Sequence, residues 1–509
     1  MTDTRTRLFQ VIIVLLGAFS LSVILAFHNI TDGDLWAKLA IGETVWKTGH
    51  IFRHDVYAFT PTLPEYIDHE CGAGVVFYDL LHWFGPASLI VLRMVLALGL
   101  LAAAAWAGRR QGCSVNVLLL LAIPAAASIL TGYIPVVRSH VFTFFLFAVT
   151  LLCVEELRGG ARWPAVVLPL LTLAGTNLHG GFVVALGVVF FYCAVGWFAG
   201  KNRALMAFTA AACAAVTLIN PYGLNFWRYL IPALLHPRAR IAEFRPPPLL
   251  ASDDFWGFRL MFAVAVIAVA AGWRHVSRPN YPGLAVMAGT AFMGWHSRRH
   301  GPFLGAAALA FAGPYAEASL KTHAARLRFN PVYGVGILYV GIAFFVALKI
   351  LPGASLQPLA PVGQDPVREA DILALAGARG NLATPFAWGS YLSWRLYPKI
   401  KISMDGRYET AYPESTFALN NDFFDHGADW FRLCRQFKVD YVILDLQTER
   451  LRPEDLIARG YVLIWKQDDL SALLALPEHA QLLLQTATNL PPTTIDPLDL
   501  RVRDNPSAP

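Results

Sequence analysis

The feature that most constrains this chain is its succession of apolar runs. They fall at 8–27, 86–107, 115–131, 138–156, 163–177, 181–199, 204–219, 257–272, 282–295, 301–316 and 332–351. That is about eleven segments long enough, or nearly so, to cross a ~30 Å hydrocarbon core as helices. Composition agrees: 56% of the 509 residues are hydrophobic and 15% are charged, against about a quarter charged in a soluble domain. The pattern predicts a mainly α, polytopic membrane protein and excludes an ordinary globular enzyme. The net charge of +6 is no nucleic-acid signal, because the basic residues sit in short loops between apolar runs.

Those loops set an expected orientation. With the N-terminus inside, the cytoplasmic connections carry Arg109 and Arg110, then Arg158 and Arg162, Lys201 and Arg203, Arg274 and Arg278, and finally Lys321, Arg326 and Arg328. The opposite set holds Asp32, Asp34, Asp55, Glu70, Asn177, His179, Asp253 and Asp254. An odd number of spans then puts everything after residue 352 outside. Arg5 and Arg7 precede the first run without a small-residue cleavage site after it, so that run reads as a retained helix. The cysteines, Cys71, Cys113, Cys153, Cys193, Cys213 and Cys434, are scattered and mostly intramembrane, which suggests neither a disulfide framework nor a zinc site.

The boundaries follow. A transmembrane domain covers 1–351, with an ordered first outer loop at 28–72. An Ala-Pro-rich linker runs 352–365, a small extracytoplasmic α/β domain 366–488, and a polar, Pro-rich, disordered tail 489–509. Within the loop, Leu35, Trp36, Leu39 and Trp46 recur at helical spacing and Gly49 stops the run. This predicts an amphipathic helix lying in the interface with its tryptophans at headgroup level. In the C-terminal domain, strands are expected at 400–404 and 441–444, helices at 366–378, 388–396 and 429–437, and a hairpin beginning at 461–466.

The acids of the first loop carry the strongest chemical signal. Asp32 and Asp34 follow the first span directly. Helix capping by Asp34 explains one of them, but not both, and a carboxylate at a membrane edge is costly unless used. Asp55 and the Asp68-His69-Glu70 run share that loop. A carboxylate there with a raised pKa can act as general base on a hydroxyl, and another can hold a divalent cation, Mg or Mn, for which Asp32, Asp34 and Glu70 are the candidate ligands. His69 and Lys38 lie beside these acids. Arg298, Arg299 and His300 break the positive-inside pattern, which points to a phosphate partner; Arg138, His140 and His179 are further outer-end candidates.

The motifs Asp32-Gly33-Asp34-Leu35-Trp36 with Gly42-Glu43, His54-Asp55-Val56-Tyr57-Ala58-Phe59-Thr60 and His69-Glu70 are then familiar. So are Arg138-Ser139-His140, Asn177-Leu178-His179-Gly180-Gly181, Asn220-Pro221-Tyr222-Gly223, Arg299-His300, Trp388-Gly389-Ser390-Tyr391 and Asp405-Gly406-Arg407. Together they resemble bacterial integral-membrane glycosyltransferases of the GT-C type with an outer C-terminal domain. The resemblance implies a polyprenyl-phosphate sugar donor, a lipid, glycan or protein acceptor, and inverting transfer on the outer face of the plasma membrane with Asp34 as base. It implies membrane lipids as surroundings and no nucleic-acid partner. Lys38, Cys71 and Ser139 depart from the pattern, where His, Trp and Pro are expected. A lipid or glycan flippase, or a non-catalytic assembly protein of an envelope polysaccharide system, are the alternatives.

Overall fold

In the computed structural model, the described residues are 2–133, 137–235, 242–248, 255–324, 331–360, 365–490 and 496–500. Asp253, Asp254, Arg326 and Arg328, which the topology argument used, lie outside them, as do linker residues 361–364 and tail residues 491–495 and 501–509. The chain divides into two compact units, one of residues 1–29 and 90–356, the other of residues 30–89 and 357–509.

The first unit is helical, and each of the apolar runs lies on a helix. Thr4–Phe27, Ala87–Arg110, His140–Arg158 and Trp256–His275 are long and apolar enough to cross a membrane. Arg298–Phe311 and Gly313–Thr322 pass the same test only as a pair, bent by 49° at their junction, as a broken span or a re-entrant loop would be. Val115–Leu130, Pro164–Leu178, Phe182–Phe198, Arg203–Val216 and Tyr333–Lys349 are shorter apolar helices. Gly301–Phe311 is buried along its whole length, which its uniformly small and apolar sequence allows. Around it pack Val115–Leu130, Tyr281–His296 and Trp256–Gly272. The outer surfaces invert the soluble pattern: Leu15, Val95, Ile267 and Phe344 are all well exposed, as a lipid-facing surface requires. Within this unit Arg93 is wholly buried and donates to the carbonyls of Leu25, His28 and Tyr133. Two of these carbonyls, of Leu25 and His28, lie at the C-terminal end of the first helix, where a cation is favoured.

The second unit corrects the sequence boundaries. The loop after the first span does not belong with the helical bundle; residues 30–89 fold with the C-terminal part of the chain. The core is a five-stranded sheet of β1 (Gly380–Ala383), β2 (Ile400–Ile402), β3 (Tyr441–Asp445), β4 (Val462–Gln467) and β5 (Ser471–Ala475), in the order β2-β1-β3-β5-β4. β1 runs parallel to both β2 and β3, while β5 is antiparallel to β3 and β4, so the expected closing hairpin is present. The first loop covers the β2 edge: Phe59 donates to the Ile402 carbonyl at 3.0 Å, and Ile402 donates to that of Tyr57 at 3.0 Å. Pairing that edge removes a row of otherwise open backbone groups.

The helix Gly33–Thr48 is the second correction. Every residue from Leu35 to Thr44 is buried, and Trp36 is completely enclosed, so this is a core helix and not an interfacial one. It packs on Cys71–Phe84 and on Gly389–Leu396. The first crossing needs two glycines, since a Cβ on Gly42 would stand 2.2 Å from the Gly74 carbonyl oxygen, and one on Gly74 would stand 2.7 Å from that of Lys38. The linker and tail are also partly built in. Thr31 donates through both its amide and its hydroxyl to Leu359, each at 2.9 Å. The Trp394 indole donates to Pro497 at 2.9 Å, so residues 496–500 are ordered where disorder was expected.

Candidate active site

The acids of the first loop sort into distinct jobs. Asp32 has extended backbone (φ −137°, ψ 173°) and accepts the Leu35 amide at 3.3 Å; it is the N-cap of Gly33–Thr48. The capping role foreseen for Asp34 therefore falls on Asp32. Asp34 lies exposed in the first turn, where the unsatisfied amides of the helix favour a negative charge. Because the helix behind it is clamped on two sides, Asp34 is held on a rigid element.

Lys38 comes one turn further along the same helix. Its ammonium is buried and sits 2.8 Å from Asp68 and 3.1 Å from Glu70, while His69 Nε2 lies 3.5 Å from Glu70. Burial alone would lower its pKa, but the two carboxylates overcome that and raise it above its ordinary value. Glu70 is thereby engaged by the chain's own cation. Asp32, Asp34 and Glu70 form no three-donor cluster among the described residues. A three-donor group among the described residues is Asp440, Glu478 and His479, beside β3 and on the helix Pro477–Thr488, and Lys438 already spans it, 3.2 Å from Asp440 and 3.0 Å from Glu478. Cys71 offers nothing reactive, since burial pushes its thiol up to about 12.

Asp55 has a structural setting. It accepts the amides of Tyr57 and Ala58 at 3.1 and 2.7 Å and pairs with Arg407 at 2.5 Å. Arg407 also holds Asp405 at 2.9 Å and lies over the rings of Tyr57, Tyr66 and Tyr412. This buried acid–arginine–acid triad in an aromatic box joins the first loop to the strand-end turn Asp405-Gly406-Arg407. The motif is a latch within the unit, and it accounts for Asp55 without catalysis.

One acid escaped the sequence reading. Asp365 is buried and accepts the Trp36 indole N–H at 3.1 Å. Burial raises its carboxyl to about 7, the indole opposes that, and the charge of Asp32 adds to it. Its place in an Ala-Pro-rich stretch concealed it.

The basic residues expected at the outer helix ends lie in the helical unit. Arg138 donates to Glu243 at 2.9 Å and Arg299 approaches the other oxygen of the same carboxylate at 3.4 Å. Burial would raise the Glu243 pKa, but Arg299, Arg138 and His140 bring it below its ordinary value. Arg299 stacks over Phe244, whereas Arg298 turns to the Pro246 carbonyl and the Phe255 ring. His140 Nε2 donates to the Gly132 carbonyl at 2.6 Å. His179 Nδ1 accepts the Gly181 amide at 3.0 Å and lies 2.8 Å from the Thr143 hydroxyl, with its ring 6.2 Å from that of His140. His300 is half-buried, 6.0 Å from the Phe303 ring. Arg138, His140 and Arg299 thus converge on one acid; Arg298 does not join them. Glu243, in the long 220–256 connection, was not anticipated, because no periodicity marks it.

No family model matches the chain, and no curated protein matches it in sequence. Solved structures do match in fold. The oligosaccharyltransferase of Archaeoglobus fulgidus, captured with a tethered acceptor peptide containing the NVT sequon, superposes with a TM-score of 0.54 at 12% identity, over 86% of this chain and 69% of that one. The archaeal oligosaccharyltransferase AglB from the same organism, in complex with an inhibitory peptide and a dolichol-phosphate, gives 0.55 at 11% identity, over 88% and 70%. The chain therefore shares the fold of these two archaeal oligosaccharyltransferase structures.

Proposed function

We propose that this chain is a membrane glycosyltransferase that moves a sugar from a polyprenyl-phosphate donor to an acceptor hydroxyl, with inversion. The observation that carries the reading is the division of labour in the Asp32-Gly33-Asp34 turn. Asp32 performs the capping that would otherwise explain an acid there, and Asp34 remains exposed on a helix that is buried behind it. In the proposed step an Asp34 carboxylate oxygen takes the proton of the acceptor hydroxyl. The hydroxyl oxygen bonds to the anomeric carbon from the face opposite the donor phosphate. The anomeric C–O bond breaks and its electron pair leaves on the phosphate oxygen. A phosphomonoester leaving group needs no acid where cations receive its charge. Within the helical unit, Arg138 and Arg299, two guanidinium groups sharing one carboxylate, are candidate ligands for a lipid phosphate. The lipid phosphate and acceptor peptide named with the archaeal structures support a lipid-linked donor and keep a peptide among the candidate acceptors beside lipid and glycan.

The placement in a bacterial plasma membrane, with the N-terminus cytoplasmic, is part of this proposal and rests on the Lys/Arg bias. The test is to incubate the purified protein with a panel of polyprenyl-phosphate sugars and measure released polyprenyl phosphate. Release coupled to an inverted product supports the reading. Vesicle flipping of the same lipids with no release overturns it in favour of a flippase.

A further inference from the structure

The helical unit is hollow at the end that bears Arg110, Arg158, Lys201 and Arg278. A cavity of about 540 Å³ opens there, with Arg110, Arg158, Arg278, Gln111 and Asn280 in its wall. A narrower cleft of about 150 Å³ adjoins it, lined by Val154, Leu157, Val195, Met206 and Pro282, with Lys201 at its rim. Arg158 lines both. The polar chamber and the apolar slot thus share the Arg158 side chain.

The wall of the chamber is a finished network. Glu155 receives the Tyr192 hydroxyl at 2.6 Å, the Asn280 amide at 3.0 Å and Arg158 at 2.7 Å, and Asn280 also donates to Gln111 at 2.9 Å. Arg110 is held by Glu156. These acids are engaged by their own arginines, yet among the described residues no acid pairs with Arg278 or Lys201. The chamber and slot therefore each present one uncompensated cation. Depth is indicated by the exposed aromatics on the same helix ends: Trp106, Trp163, Trp197, Trp273 and Tyr281. Tryptophan and tyrosine exposed in this way mark headgroup level, and a basic pocket between helices at that level recognises anionic headgroups.

We propose that this chamber and slot bind one anionic glycerophospholipid, its headgroup held by Arg278 and Arg158 in the chamber and by Lys201 at the rim of the cleft, and part of one acyl chain in the cleft beside Val195 and Met206. The net positive chamber favours an anionic headgroup over a zwitterionic one, and the adjoining slot favours a lipid over a free anion. The inference does not depend on the proposed transfer reaction.

The test uses the full chain in detergent micelles, titrated with phosphatidylglycerol or with phosphatidylcholine of identical acyl chains, counting bound lipids by native mass spectrometry. One phosphatidylglycerol should be retained preferentially. The double variant Arg278→Ala, Lys201→Ala should weaken it roughly thirty-fold, on the scale of two cations at a headgroup. Both side chains are exposed, so the fold should tolerate their loss. Val195→Trp, which fills the slot, should weaken phosphatidylglycerol without changing either cation. Equal binding of the two lipids, unchanged phosphatidylglycerol binding in the double variant, or displacement by millimolar inorganic phosphate would each overturn the assignment.

Discussion

Removing the Lys38 ammonium is the most informative perturbation of the second unit. In Lys38→Met, Asp68 and Glu70 lose a cation at 2.8 and 3.1 Å and stay in place. The Lys38 side chain is 10% exposed and Asp68 3%, but Glu70 reaches 18%. Breaking a buried pair from one side costs about 3–5 kcal/mol, and the partial hydration of Glu70 argues for the lower end, about 3 kcal/mol. In a unit of this size that corresponds to a fall in Tm of about 6–12 °C. The Lys38 pKa is raised in the folded state, so its contribution is complete below the unfolded value near 10.4 and is lost only as pH rises through the folded value. The deficit of the variant should therefore stay level from about pH 6.5 to about 9. The triple variant Lys38→Met, Asp68→Asn, Glu70→Gln removes the stranded charges and should recover at least half of the loss. Thermal unfolding of the detergent-solubilised chain measures all of this. A single variant within about 2 °C of the parent, or a triple variant no better than the single, would refute the reasoning.

Other expectations follow the same logic. Arg407→Met strands Asp55 and Asp405 and should lower stability by about 3–5 kcal/mol, with the first loop becoming protease-sensitive; an unchanged digestion pattern would contradict the latch. The raised Asp365 pKa means that its burial costs nothing below the unfolded value near 3.9 and progressively more as pH rises through about 7. The indole N–H resonance of Trp36 should accordingly titrate with a midpoint near 7 and lose that titration in Asp365→Asn. Glu243→Gln releases charge from Arg138 and Arg299 and should lower the KM for a polyprenyl-phosphate sugar, and a raised KM would count against those arginines as phosphate ligands. Gly42→Ala places a methyl 2.2 Å from the Gly74 carbonyl and should cost at least about 1–3 kcal/mol by forcing the helices apart; neutral stability would show that the crossing can give.

The helical unit was legible because a spanning helix must be apolar for most of its length, and 8–27, 140–158 and 256–272 follow that requirement closely. Strands 400–402 and 441–445 declared themselves through Ile400, Ile402 and the Tyr441–Leu444 run. β1 did not: Gly380-Asn381 is poor strand sequence, and only its pairing with neighbours on both sides makes it one. The helix at 33–48 was found but misplaced. Its tryptophan pattern fits a membrane interface as well as a core, and Trp36 meets its partner Asp365 329 positions further along the chain. The same distance problem hid the Asp55–Arg407 pair, which gives Asp55 a structural role that its local sequence does not reveal. Asp34 and Asp32 were recognised as a pair, but only the φ and ψ of Asp32 decide which of them caps.

The central claim is that Asp34 takes the acceptor proton. Its most direct test is single-turnover transfer from a radiolabelled polyprenyl-phosphate sugar by the parent chain, Asp34→Asn and Asp32→Asn. Asparagine caps a helix about as well as aspartate, so Asp32→Asn should keep its fold and most of its rate. Asp34→Asn should bind the donor normally and lose about 10²–10⁴-fold in transfer. Full transfer by Asp34→Asn would contradict the account.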